Sequence, residues 1–155
     1  MRTITLLLLA CATLADAQTA PAPKAAAPQT AAPVSKPPLR NIGTMSDLMV
    51  KILYPASDAL FYIETRTPKT DTEWTLVEGQ ALMVAESANL LMMPGRARDQ
   101  VQWMADSKLM LDVGASALKA AKAKDVPGIA ALSDQLYASC TTCHTHYRPG
   151  YGKKP

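Results

Sequence analysis

Three observations predict an all-α fold, an up-down-up-down four-helix bundle behind a disordered N-terminal tether. From residue 44 onward, apolar residues recur at three- and four-residue steps in four stretches. Short turns rich in Pro and Gly separate these stretches, and no segment sustains the alternation of a strand. Four amphipathic helices joined by short connections argue for the bundle.

The first stretch runs from about Ser46 to Thr65, with Met45, Met49, Ile52, Ala56, Leu60 and Ile63 on one face. Pro55 falls inside it and should kink the helix or remove one of its hydrogen bonds. The second runs from near Thr72 to Met92 on Trp74, Val77, Ala81, Val84, Ala88 and Leu91, with Leu76, Met83 and Leu90 widening the stripe, and Pro94-Gly95 closes it. The third extends from about Arg98 to Lys124. Its heptad rows are Trp103, Met110, Ala117 and Met104, Leu111, Leu118, with Gly114 and Ala115 keeping the later turns slim. The fourth runs from Pro127 or Gly128 to about Tyr147 along Ile129, Leu132, Leu136, Cys140, Cys143 and Tyr147, and Pro149-Gly150 stops it. Trp74 and Trp103 read as core.

The N-terminal third is different. Arg2, the apolar run Ile4 to Leu14 and Ala15-Asp16-Ala17 read as a secretory signal over residues 1–17. That run is short of the roughly 20 apolar residues needed to span a membrane. Leu8-Leu9-Ala10-Cys11 also resembles a lipoprotein box, which would make Cys11 a lipidated membrane anchor. Leu is uncommon at the second position of such a box, so ordinary cleavage and a periplasmic, exported protein are favoured. Residues 18–43 form an Ala/Pro-rich linker that cannot bury enough apolar surface to order itself. The single domain is therefore assigned to residues 44–150.

The 155 residues carry 16 basic and 13 acidic side chains, a formal charge of +3. No basic run marks a nucleic-acid face. The only histidines are His144 and His146, so there is no Ser/His/Asp constellation, and no paired carboxylates suggest an enzyme.

The chemistry concentrates in Cys140-Thr141-Thr142-Cys143-His144, the c-type haem attachment pattern. On a helix, positions i, i+3 and i+4 share one face. Two thiols can then add to two haem vinyl groups while His144 points its imidazole at the iron as the proximal ligand. Two other readings compete. A zinc site would have to use Cys140, Cys143, His144 and His146, a crowded set compared with the separated ligand pairs of structural zinc. A Cys140–Cys143 disulfide suits an exported protein, but a redox-active one usually follows a strand. His146 lies roughly 200° round the helix from His144, so it cannot be the opposite axial ligand and reads as a surface residue.

The segment from Leu136 to Arg148 resembles the C-terminal helix of the class II cytochromes c, cytochrome c′ and its low-spin relatives. These carry the haem motif near the C-terminus, followed closely by an aromatic residue and Arg. The resemblance implies one covalent haem c on Cys140 and Cys143, with Tyr147 on the haem edge and Arg148 near a propionate. It also implies that the first helix supplies the residue facing the distal side of the iron. Here that residue is Met49, or alternatively Met45 one turn earlier, where the family usually has Arg. Methionine is otherwise a common core filler, and Met83, Met92, Met93, Met104 and Met110 read that way.

A His/Met-ligated haem implies a one-electron carrier working with redox partner proteins, not an enzyme. The alternative is a five-coordinate, cytochrome c′-like protein that binds NO or CO, if neither Met reaches the iron. Weak peroxidase activity would need a polar distal group, and a haem-free helical module would have its two cysteines bonded together. Homodimerisation through an exposed apolar stripe is a further expectation drawn from the family.

Overall fold

The computed structural model describes residues 39–152. The expected signal segment, Cys11 and the linker up to residue 38 lie outside the described residues. Within them the chain is all-α, with no strand among the described residues. No helix among them is long and apolar enough to cross a membrane.

The first helical rod is continuous but not uniform. Helix α1 (Met45–Asp47) passes into a π-helical segment (Leu48–Leu53) and then into α2 (Tyr54–Phe61). Thr44 starts it with a capping box, in which its hydroxyl accepts from the Asp47 N–H and the Asp47 carboxylate accepts from the Thr44 N–H. Pro55 sits in the first turn of α2, and the expected loss of one helical hydrogen bond occurs there without ending the rod. Pro55 has no N–H to give the Lys51 carbonyl, and its ring crowds that carbonyl in an α-helix. The wider turn relieves both, and the Tyr54 N–H donates to the Met49 carbonyl five residues back. The extra width also turns the register inward, so Leu48 and Leu53 are buried beside the expected Ala56, Leu60 and Ile63.

Helix α3 (Asp71–Leu91) opens on a second capping box, Thr70 with Glu73. Its expected stripe from Trp74 to Leu91 is buried throughout. Leu76, Met83 and Leu90 do not widen that stripe: they are 63%, 39% and 36% exposed. They lie on the side of α3 away from its two packing partners, and two neighbours leave one flank of a helix in water. The turn after α3 uses Gly95 at φ 82°, a left-handed conformation that glycine accepts without steric cost.

Helix α4 (Gln102–Lys122) starts later than residue 98 because the Asp99 carboxylate takes the backbone N–H groups of Val101 and Trp103. Its partners on α3 run in the opposite direction. The Trp103 indole N–H donates to the Leu91 carbonyl at 2.8 Å, and Lys124 just past α4 pairs with Asp71 at 2.7 Å. Midway, Gly114 lies against the α3 backbone. A Cβ there would sit 2.6 Å from the Ala85 nitrogen.

The expected fourth helix is two. Helix α5 (Val126–Ala130) is capped by Asp125, and α6 (Ser133–Tyr147) follows a tightened turn in which the Leu132 N–H donates to the Ile129 carbonyl. That turn keeps Ile129 and Leu136 both buried. Helix α6 packs on α4, and α2 packs on α3.

The close α3–α4 approach predicts that Gly114→Ala destabilises the fold by about 1–3 kcal/mol through overpacking against backbone. Gly79→Ala, whose Cβ would meet nothing within 4 Å, should be neutral or stabilise by up to about 1 kcal/mol. Urea melts of both variants against the parent chain check the contrast.

Candidate functional site: an apolar cavity facing the CxxCH motif

Helix α6 carries Cys140, Cys143 and His144 on one face, and all three line a single cavity of about 640 Å³. That volume lies within the range of about 300–1,000 Å³ typical of cofactor and ligand sites. Most of the wall is apolar. Leu53 comes from the first rod, Val84 and Leu91 from α3, Met110 from α4 and Leu136 from α6 itself. Met49 enters from the π-helical segment. A second cavity of about 380 Å³ shares Met49, Val50, Cys143 and His144 with the first and adds Met45, Tyr147, Arg148 and Arg98. Met45 and Met49 therefore each line a cavity with His144, but only Met49 lines both cavities.

The pKa values of all three motif side chains are shifted. Cys140 and Cys143 are unpaired thiols. Burial raises the pKa of both, and with the nearby Asp106 and Cys140 it pushes Cys143 up to about 11. Redox-active and metal-binding cysteines work as thiolates favoured by a lowered pKa. These thiols are poised the other way. Burial, and then the Arg148 charge, lower the pKa of His144. Its imidazole is thus neutral at pH 7, the form with a nitrogen lone pair for iron. The Tyr151 ring meets it edge-on at 5.2 Å.

Two carboxylates hold this half of α6. Asp106 is 2% exposed and bonds His146 Nδ1 at 2.7 Å and Gln102 Nε2 at 2.9 Å. The Tyr147 hydroxyl donates to Asp99, and its ring stands edge-on to Trp103 at 4.9 Å. Burial and Asp99 together raise the Tyr147 pKa to about 12. His146 is exposed, as expected, but it is also tied to α4 through Asp106. Arg148 lies at the second cavity with its guanidinium 5.8 Å from the Tyr151 ring centre.

Asp106, Ser107 and Tyr151 line the first cavity and did not emerge from the sequence reading. Asp106 did leave a trace there. It stands three residues after Trp103 and four before Met110, a charge on the apolar face of α4. The hydroxyl of Ser107 is buried without a hydrogen-bond partner among the described residues.

The thiol environment predicts slow alkylation of Cys140 and Cys143 by iodoacetamide at pH 7 in protein made without haem. The rate should climb as pH rises toward the Cys143 value of about 11. Fast labelling at pH 6–7 would instead mark an activated redox pair. The Asp106–His146 pair predicts an asymmetry in chemical denaturation. His146→Ala, which leaves a buried carboxylate with Gln102 alone, should cost about 1–3 kcal/mol. Asp106→Asn, which keeps the shape and removes the charge, should cost less.

Comparison with protein-family models, with curated proteins and with solved structures returns no match.

Proposed function

We propose that the chain is a monohaem c-type cytochrome, a periplasmic one-electron carrier built on an up-down-up-down four-helix bundle. The bundle reading counts the first rod, α3, α4 and α6 as its four members, and is supported by the opposed run of contacts between α3 and α4. One observation carries the functional reading. Two half-buried, protonated thiols and a neutral imidazole on one face of α6 share an apolar, cofactor-sized cavity with Met49 from the first rod.

Each residue has a definite task. Cys140 and Cys143 would hold a haem through two thioethers, each formed by adding S–H across a vinyl group, which needs no oxidant. His144 would hold the iron through an imidazole nitrogen and Met49 through its sulfur, with Met45 as the alternative one turn away. Bound there, haem supplies a one-electron Fe(III)/Fe(II) couple, and Met ligation raises its potential. Asp106 and Asp99 hold the histidine-bearing end of α6 still through His146 and Tyr147. The apolar side chains from Leu53 to Met110 would limit the access of water to a bound haem.

A five-coordinate, gas-binding role is the second reading, and it holds if neither Met49 nor Met45 reaches the iron.

The test is whole-protein mass followed by optical spectra with carbon monoxide. Exported protein should carry the mass of one covalent haem, lost in Cys140→Ser/Cys143→Ser. Low-spin bands, a methionine–iron charge-transfer band and no carbon monoxide shift would support the carrier, with Met49→Ala becoming high-spin and reactive to carbon monoxide. A parent protein that is already high-spin and shifts with carbon monoxide would favour gas binding. Absence of haem mass would overturn both.

A further inference from the structure

The second cavity has an uneven wall. Its floor is apolar, made by Met45, Met49 and Trp103, whereas its polar edge carries two arginines and no acid. Arg98 comes from the connection between α3 and α4, and Arg148 from the end of α6. Ser46 of α1 adds a hydroxyl.

The carboxylates that could neutralise these arginines are already committed. Asp99, next to Arg98, accepts from Val101 N–H at 2.9 Å, from Trp103 N–H at 3.1 Å and from the Tyr147 hydroxyl. Asp47 on the first rod holds Lys51 at 2.6 Å and closes the Thr44 capping box. Among the described residues, neither Arg98 nor Arg148 forms an ion pair. Two arginines, 50 positions apart in the chain, thus line one cavity that has no acidic residue in its wall. Arginine presents a planar fork of donors that matches a carboxylate through two parallel hydrogen bonds.

We propose that this second cavity is a carboxylate site in which Arg98 is a binding residue beside Arg148, and that its occupant is a carboxylate of the haem held on α6. The assignment rests on the haem reading of Cys140, Cys143 and His144, and it extends that reading to a residue outside the motif. His144 and Cys143 border both cavities, so a group fixed at the motif has access to each. Haem brings two propionate carboxylates, and an apolar floor raises the strength of any ion pair formed above it. Arg98 has a second consequence. A fixed positive charge at the haem edge disfavours the ferric state, which carries one more positive charge than the ferrous.

The experiment uses the exported holoprotein and its Arg98→Gln, Arg98→Lys and Arg148→Gln variants. Spectroelectrochemical titration reads the ferric/ferrous balance, and resonance Raman reads the propionate-bending band. Arg98→Gln should shift the balance about tenfold toward ferric, a potential lower by about 59 mV for one electron, and should move the propionate band. Arg98→Lys should keep most of the potential, because the charge stays, yet still move the band, because the fork is lost. A holoprotein in which Arg98→Gln changes neither reading overturns the assignment while leaving the haem reading intact. Titration with succinate separates the source of the carboxylate. Arg98-dependent succinate binding with an unmoved propionate band would mean an external carboxylate, and would overturn haem as occupant. A chain that carries no haem mass would overturn the underlying haem reading instead, and succinate binding would then test the cavity alone.

Discussion

The grip of Asp99 and Asp106 on α6 is the constraint on which the site depends. The chemistry sits on one face of a helix, and a face is useful only if the helix cannot rotate or slide. Apolar packing alone allows small shifts, because it is non-directional. Hydrogen bonds from Tyr147 and His146 to carboxylates at and just before the start of α4 are directional, and they lie within one turn of His144. Trp103 completes the anchor, with its ring against Tyr147 and its indole N–H on the last carbonyl of α3. One short region thereby ties α3, α4 and α6 together at the end where the motif lies.

A second constraint comes from the first rod. Proline inside a helix commonly breaks it. Here Pro55 is accommodated by six residues of π-helix, and the widened turn carries Met49 and Val50 to the cavity wall. Such π segments concentrate at functional sites because they redirect side chains without ending the helix. The same turn draws Leu48 and Leu53 into the core, so the rod is secured on both sides of the cavity-facing residues.

Much of the fold was legible because helical periodicity is a local signal. The α3 stripe is buried position by position as its spacing implies, and both capping boxes are written as Thr followed three residues later by an acid. The errors share a cause. Leu76, Met83 and Leu90 were grouped with the core because they are apolar, and exposure depends on how many neighbours a helix has. The division of the last helix into α5 and α6 follows from keeping Ile129 and Leu136 both inside, a demand set by the neighbouring helices. Asp106 was passed over because a lone acid on an apolar stripe has no meaning until His146 arrives from 40 residues away.

The sequence by itself determined the helical runs and the three motif residues, since these depend on neighbours within a few turns of chain. Only the tertiary structure decided that the motif faces an apolar cavity, that Met49 borders it more fully than Met45, and that two arginines with no acid between them edge a second one. Those features depend on which elements come together and on what each carboxylate is already holding. Such relations arise between residues 40 or more positions apart, where spacing along the chain carries no information about distance in space.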